Sequence, residues 1–125
     1  MQTKEIQPSK WSEFFDSFSR KHQGMPVSIE ILGSEIGAQT EEKGLALEGI
    51  SVERDEKSGQ RITIMAGASA ADHITHSISH PTQVSVEQSD DGADVALAIK
   101  EADGPTALLR FQSTVAPEAA DAVSP

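Results

Sequence analysis

Pro26-Val27-Ser28-Ile29-Glu30-Ile31-Leu32 alternates apolar and polar side chains, with Val27, Ile29 and Ile31 on one side and Ser28 and Glu30 on the other. A period of two belongs to a β-strand with one buried and one wet face. The same alternation returns in short stretches as far as Ser113, separated by turn residues. Strands that are greasy on one face only pair as an antiparallel sheet over a single core.

Upstream of this stretch the period changes. Trp11, Phe14, Phe15 and Phe18 recur at helical spacing, which predicts an amphipathic helix over about residues 9–23. Ser9 is placed to cap its start, and Glu13 lies near the positive end of the dipole. Arg20, Lys21 and His22 lie near the negative end, and Gly24 is placed to close the helix. The stripe holds the only Trp and three of the four Phe, so it is expected to lie on the open face of the sheet as a lid.

Downstream, strands are expected over Ile36–Thr40, Leu45–Arg54, Gln60–Ala66, Asp72–Ser79 and Thr82–Gln88. A final hairpin follows, with Val95, Leu97 and Ile99 leading to Asp103-Gly104 and Ala107, Leu109 and Phe111 returning. Breaks fall at Gly33-Ser34-Glu35, Glu41-Glu42-Lys43-Gly44, Asp55 to Gly59, His80-Pro81 and Ser89 to Ala93. Between Leu45 and Val52 the apolar set switches from odd to even numbers around Glu48-Gly49, the mark of a β-bulge. The expected fold is α+β: an N-terminal amphipathic helix packed on a mainly antiparallel, curled β-meander sheet of about seven or eight strands over about 26–113. Residues 1–115 would form the single domain, and 116–125, rich in Ala, Asp, Glu, Ser and Pro, a disordered acidic tail.

At 125 residues the chain is long enough to bury a core without staples. It has no cysteine, which removes disulfides and thiolate chemistry and fits a cytoplasmic protein. Twenty acidic against ten basic residues give a charge of −10, which repels phosphate backbones and anionic lipid, so neither nucleic acid nor membrane is an expected partner.

The densest set of potential ligands is Asp72-His73-Ile74-Thr75-His76-Ser77-Ile78-Ser79-His80. On a strand, His73 points to one face and His76 and His80 to the other, the latter two about 13 Å apart along the strand. That spread exceeds the reach of one metal ion. No metal, catalytic or cofactor-binding residue is therefore assigned, with His73, His76 and Asp72 the remaining candidates. His76 falls between Ile74 and Ile78 on the inward face, where its ring nitrogens need partners. Asp90-Asp91-Gly92-Ala93-Asp94 lacks the spacing of a calcium loop and reads as a turn. No nucleophile motif or phosphate-cradling glycine pattern is present.

Trp11-Ser12-Glu13-Phe14-Phe15-Asp16-Ser17-Phe18-Ser19, Leu32-Gly33-Ser34-Glu35-Ile36-Gly37-Ala38-Gln39, Leu47-Glu48-Gly49-Ile50, Ile74-Thr75-His76-Ser77-Ile78 and Asp91-Gly92-Ala93-Asp94-Val95-Ala96-Leu97 carry a resemblance. On these residues the chain resembles a family of short bacterial proteins known only as a domain of unknown function. The resemblance implies a bacterial, cytoplasmic, single-domain protein and brings no activity, cofactor or site residue with it. The expected function is a small non-enzymatic binding or regulatory module that contacts a protein partner or a second copy, through strand edges and the outward Glu30, Arg61, Glu87 and Arg110. The alternative is a small metal-dependent or acid-base enzyme centred on His73 and His76 with Asp72.

Overall fold

The computed structural model describes residues 2–33, 37–55, 59–67, 73–102 and 104–111, with the backbone alone over 37–43 and at 55. Strand β1 (Gln2–Ile6) leads through a single 3-10 turn (Pro8–Lys10) into helix α1 (Trp11–His22). Seven strands follow: β2 (Pro26–Gly33), β3 (Gly37–Asp55), β4 (Gly59–Ala66), β5 (Ile74–Ser79), β6 (Pro81–Gln88), β7 (Asp94–Glu101) and β8 (Thr106–Phe111). All pairings are antiparallel, in the order β1-β6-β7-β8-β2-β3-β4-β5. The fold is α+β as the alternation and the aromatic stripe predict.

The connection between β5 and β6 forces the sheet to curl. These strands stand eighth and second in the order, yet His80 alone joins them. Six strand spacings of a flat sheet would separate them by roughly 29 Å. A one-residue link spans no more than about 7 Å. From β2 round to β8 every strand lies beside its sequence neighbour except at this point, and β2 pairs with β8. The sheet is a meander curled almost into a barrel and left open beside β5. The free edge of β6 is taken by β1 instead.

Two expectations about strands are corrected. Gln2–Ile6 is a strand although only Ile6 is apolar and buried there, because an edge strand can be held by main-chain pairing without an apolar face. Glu41-Glu42-Lys43-Gly44 does not break the chain: β3 runs 19 residues without interruption. The ladder with β2 pairs Val27 with Leu45 and Ser28 with Lys43, then Ile29 with Glu42 and Glu30 with Thr40. The polar run is thus absorbed as two irregularities that skip Gly44 and Glu41, with Gly44 at a φ of 76° that suits glycine. The third irregularity is the expected one. Leu47 pairs with Ala66 and Gly49 with Met65, which leaves Glu48 as the extra residue of a bulge.

The helix is a lid on the sheet, as the stripe predicts. Trp11, Phe15 and Phe18 are buried in one cluster with Val27, Ile29, Leu47, Ile64, Leu97, Leu109 and Phe111. Trp11 donates its indole N–H to the Ile6 carbonyl at 2.9 Å, so its one polar atom is satisfied. Ser19 stitches the helix to β3, its Oγ accepting from Ile50 N–H at 2.8 Å and donating to Ile50 C=O at 3.1 Å. Ser9 does not cap: it lies inside the 3-10 turn, and Lys10 occupies the N-cap of α1 without a side-chain bond. Gly24 follows the helix at a φ of 87°, and its N–H donates to Leu47 C=O at 2.8 Å. Among the described residues no helix is long and apolar enough to cross a membrane. The Ser34–Glu35 turn, Asp103 and the 116–125 tail fall outside the described residues.

Candidate functional site

The most enclosed polar side chain among the described residues, His22, was not legible as one. His22 continues the buried stripe of α1 by one more turn after Phe18, and its ring lies 4.5 Å from Phe18 and 4.5 Å from Phe111, centroid to centroid. Its Nε2 stands 2.8 Å from Asp94 Oδ2 at the start of β7, and both side chains are only 7% exposed. Gln88 donates to Asp94 Oδ1 at 2.9 Å, and the exposed Lys21 ammonium lies 3.5 Å from Oδ2. Burial pushes the Asp94 carboxyl up. The hydrogen bonds from Gln88 and His22 and the charge of Lys21 outweigh it and hold the group below the ordinary carboxylate range. The other ring nitrogen, Nδ1, faces Met25 Sδ at 3.3 Å. Both nitrogens of His22 are thus engaged inside the protein, and the arrangement locks the end of α1 to the β6–β7 hairpin. The signal in the sequence was the spacing Trp11, Phe15, Phe18, His22, which puts the histidine on the buried face instead of among the exposed cations.

The histidines singled out in the sequence do not converge. His73 precedes β5 and pairs through Nε2 with Glu48 Oε2 at 3.3 Å, so the extra residue of the β3 bulge is what meets it. His76 pairs across with Ile64, on the face of Ile74 and Ile78, and is half-buried with no hydrogen-bond partner among the described residues. Asp72 lies outside the described residues. Among the described residues no three His, Asp or Glu side chains stand where they could hold a metal ion. The 90–94 segment is a turn, with Gly92 N–H donating to Ser89 C=O at 2.9 Å and Ser89 N–H to Ala93 C=O at 2.9 Å. Hydrogen bonds from the Ser89 hydroxyl and the Ala93 amide hold the Asp91 carboxyl below its usual range. Of the outward charges, Glu30 and Arg110 pair with each other at 3.3 Å, Arg61 is engaged, and Glu87 is half-buried.

Two surface features remain. The first is the pair of sheet edges, β1 and β5, that no strand among the described residues covers. β1 carries Lys4 and Glu5 along an exposed strand, whereas β5, Ile-Thr-His-Ser-Ile-Ser, carries no acidic or Lys/Arg side chain over six residues. The second is a cleft of about 310 Å³ where β5 turns into β6, lined by Pro8, Trp11, Gly59, Gln60, His80, Pro81, Thr82 and Ala102. His80 has a φ of 57°, the only non-glycine residue with a positive φ among those described, and its carbonyl accepts from Ala102 N–H at 3.1 Å.

An open, curled antiparallel sheet closed on one side by an aromatic helix, with a buried histidine–carboxylate lock, defines a small α+β domain. Residues 2–122 match the family of unknown function DUF5335, and the chain belongs to that family. It is 26% identical over 115 residues to an uncharacterized protein of Aquifex aeolicus (strain VF5), covering 92% of this chain and 96% of that one. No solved structure matches the chain.

Proposed function

We propose that the protein is a non-enzymatic binding module that receives an extended segment of a partner protein along the free edge of β5. The observation that carries this reading is the asymmetry of the two edges. A free edge invites another strand, and proteins ordinarily blunt it with Lys, Pro, a bulge or shortness. β1 is blunted by Lys4 and Glu5; β5 has β-branched Ile74, Thr75 and Ile78, no proline and no acidic or Lys/Arg side chain. Ile74 and His76 are also only half-buried on the inner face, so an added strand would complete their burial. Main-chain hydrogen bonds would supply affinity and alternate side chains selectivity. A chain of net charge −10 favours a neutral or basic segment over an acidic one and over a second copy of itself.

The test is selection of displayed ten-residue peptides on the protein, with the binding site mapped by amide chemical shifts. Binders should perturb Ile74 to Ser79 and read as alternating β-branched sequences. Adjacent strand residues direct their amides to opposite sides. Of His76→Pro and Ser77→Pro, the variant that keeps the wild-type melting temperature is therefore the one that strips the outer edge, and it should lose peptide binding at least tenfold. Binders that map to β1 or to α1, or that tolerate this variant, would overturn the reading.

A further inference from the structure

The geometry points to the cleft at the β5–β6 corner as an anchor pocket for an aromatic side chain with a polar tip, tyrosine or tryptophan, carried by the segment that docks on β5. This inference deepens the edge-binding reading and names what the partner must present. The cleft begins where β5 ends: Ser79 pairs with Arg61, so Gln60 and His80 are the next positions on the two strands, and both line the cleft. A segment running along β5 toward its C-terminal end therefore brings a side chain to this point.

The lining specifies an amphipathic occupant. Pro8 and Pro81 offer rigid apolar surface, and the buried Trp11 contributes to the floor. Against this stand the Gln60 amide and the His80 imidazole, neither of which has a hydrogen-bond partner among the described residues. Thr82 already donates its hydroxyl to Lys100 C=O at 3.2 Å, which leaves its oxygen free to accept. An aliphatic side chain would cover these polar groups without satisfying them, and a carboxylate would meet a strongly acidic protein. A phenol or an indole N–H places its ring on the prolines and its polar atom among donors and acceptors. At about 310 Å³ the cleft lies at the small end of ligand pockets, which run roughly 300–1,000 Å³, and it suits one such side chain.

The backbone of His80 supports a binding role for this residue. Glycine adopts a positive φ without strain, and an imidazole there costs conformational energy that no hydrogen bond, ion pair or ring contact of the side chain offsets among the described residues. The occupant cannot come from a second copy by the same route, because the chain has no tyrosine and its single tryptophan is buried and bonded to Ile6.

The experiment titrates the full chain with N-acetyl-tyrosinamide and, separately, N-acetyl-leucinamide, following amide and side-chain shifts. The tyrosine probe should saturate shifts at Gln60, His80 and Thr82 at least fivefold more tightly than the leucine probe. His80→Gly should melt at or above the wild-type temperature, since glycine relieves the strained φ, and should lose that preference, as should Gln60→Ala. Equal affinity for the two probes, shifts confined to other surfaces, or a preference that survives both substitutions would overturn the inference. Because the free probes need no edge pairing, they test the cleft even if no peptide docks on β5. Peptides that bind β5 with no tyrosine or tryptophan anchor would sink the cleft and leave the edge standing.

Discussion

Replacing Asp94 by Ala tests whether the His22–Asp94 contact is the bolt between α1 and the hairpin of β6 and β7. The substitution leaves the His22 N–H and the Gln88 amide without acceptors in a site where His22 and Asp94 are each 7% exposed. Each orphaned buried donor costs about 1–3 kcal/mol. Lys21 is 60% exposed, so loss of its contact adds little. The sum is on the order of 3 kcal/mol, the low end of what removing one partner of a buried pair costs. For a chain of this size that corresponds to a fall of roughly 10 °C in Tm. The chain's only Trp, 2% exposed, gives a clean fluorescence signal for urea unfolding. A double-mutant cycle with His22→Ala should show the two losses to be coupled by at least ~1 kcal/mol. The pH dependence has a fixed sign. The folded carboxyl is lowered, so its stabilisation is complete above the unfolded value of about 3.9 and drains as pH falls through the lower folded value. The gap between wild type and Asp94→Ala should therefore close only below about pH 4. A loss under ~1 kcal/mol, or strictly additive effects, would refute the lock.

Four further substitutions separate the forces holding the lid and the turns. Ser19→Ala removes both hydrogen bonds to Ile50 and should cost about 2 kcal/mol in the same urea assay, since Ile50 N–H and C=O lose a partner at once. Gly49→Ala should stabilise by about 0.5 kcal/mol, because the added Cβ would meet only Ser19 at 3.7 Å, an ordinary contact, and the unfolded chain loses freedom. Gly92→Ala, at a φ of 89°, should instead destabilise by about 1 kcal/mol although nothing lies within 4 Å of its Cβ, and thermal melts of the two variants should move in opposite directions. His80→Gly should raise stability by up to about 1 kcal/mol, read as a shift of the urea midpoint at unchanged slope.

The parts of this fold that the sequence makes legible are those where burial alternates. Val27, Ile29 and Ile31, the switch at Glu48-Gly49, and the Trp11 stripe each carry their structural role in the spacing of apolar side chains. What the spacing conceals is pairing without burial. β1 has four exposed residues out of five and is held by its ladder to β6, so no periodicity announces it. Glu41 to Gly44 has the composition of a turn, but the ladder to β2 carries the strand through it with the extra residues absorbed as bulges. His22 and Asp94 are 72 residues apart, and each looks alone like a surface charge. Only the Phe18 to His22 step along the helix hints that one of them turns inward.

The unrecognised strand is also the one that decides where the molecule is open. Because β5 and β6 are joined by a single residue, a simple meander would pair them and close the barrel. β1 sits on the edge of β6 instead, and Ile6 at its end accepts the indole N–H of Trp11. The N-terminal strand, the 3-10 turn and the aromatic lid therefore act as one unit that occupies the closing position, and among the described residues β5 is left with an unpaired outer edge that ends at Pro8, Trp11 and His80. Edge and cleft arise from the same displacement. That common origin argues for reading them together, as two halves of one binding surface produced by where β1 was placed.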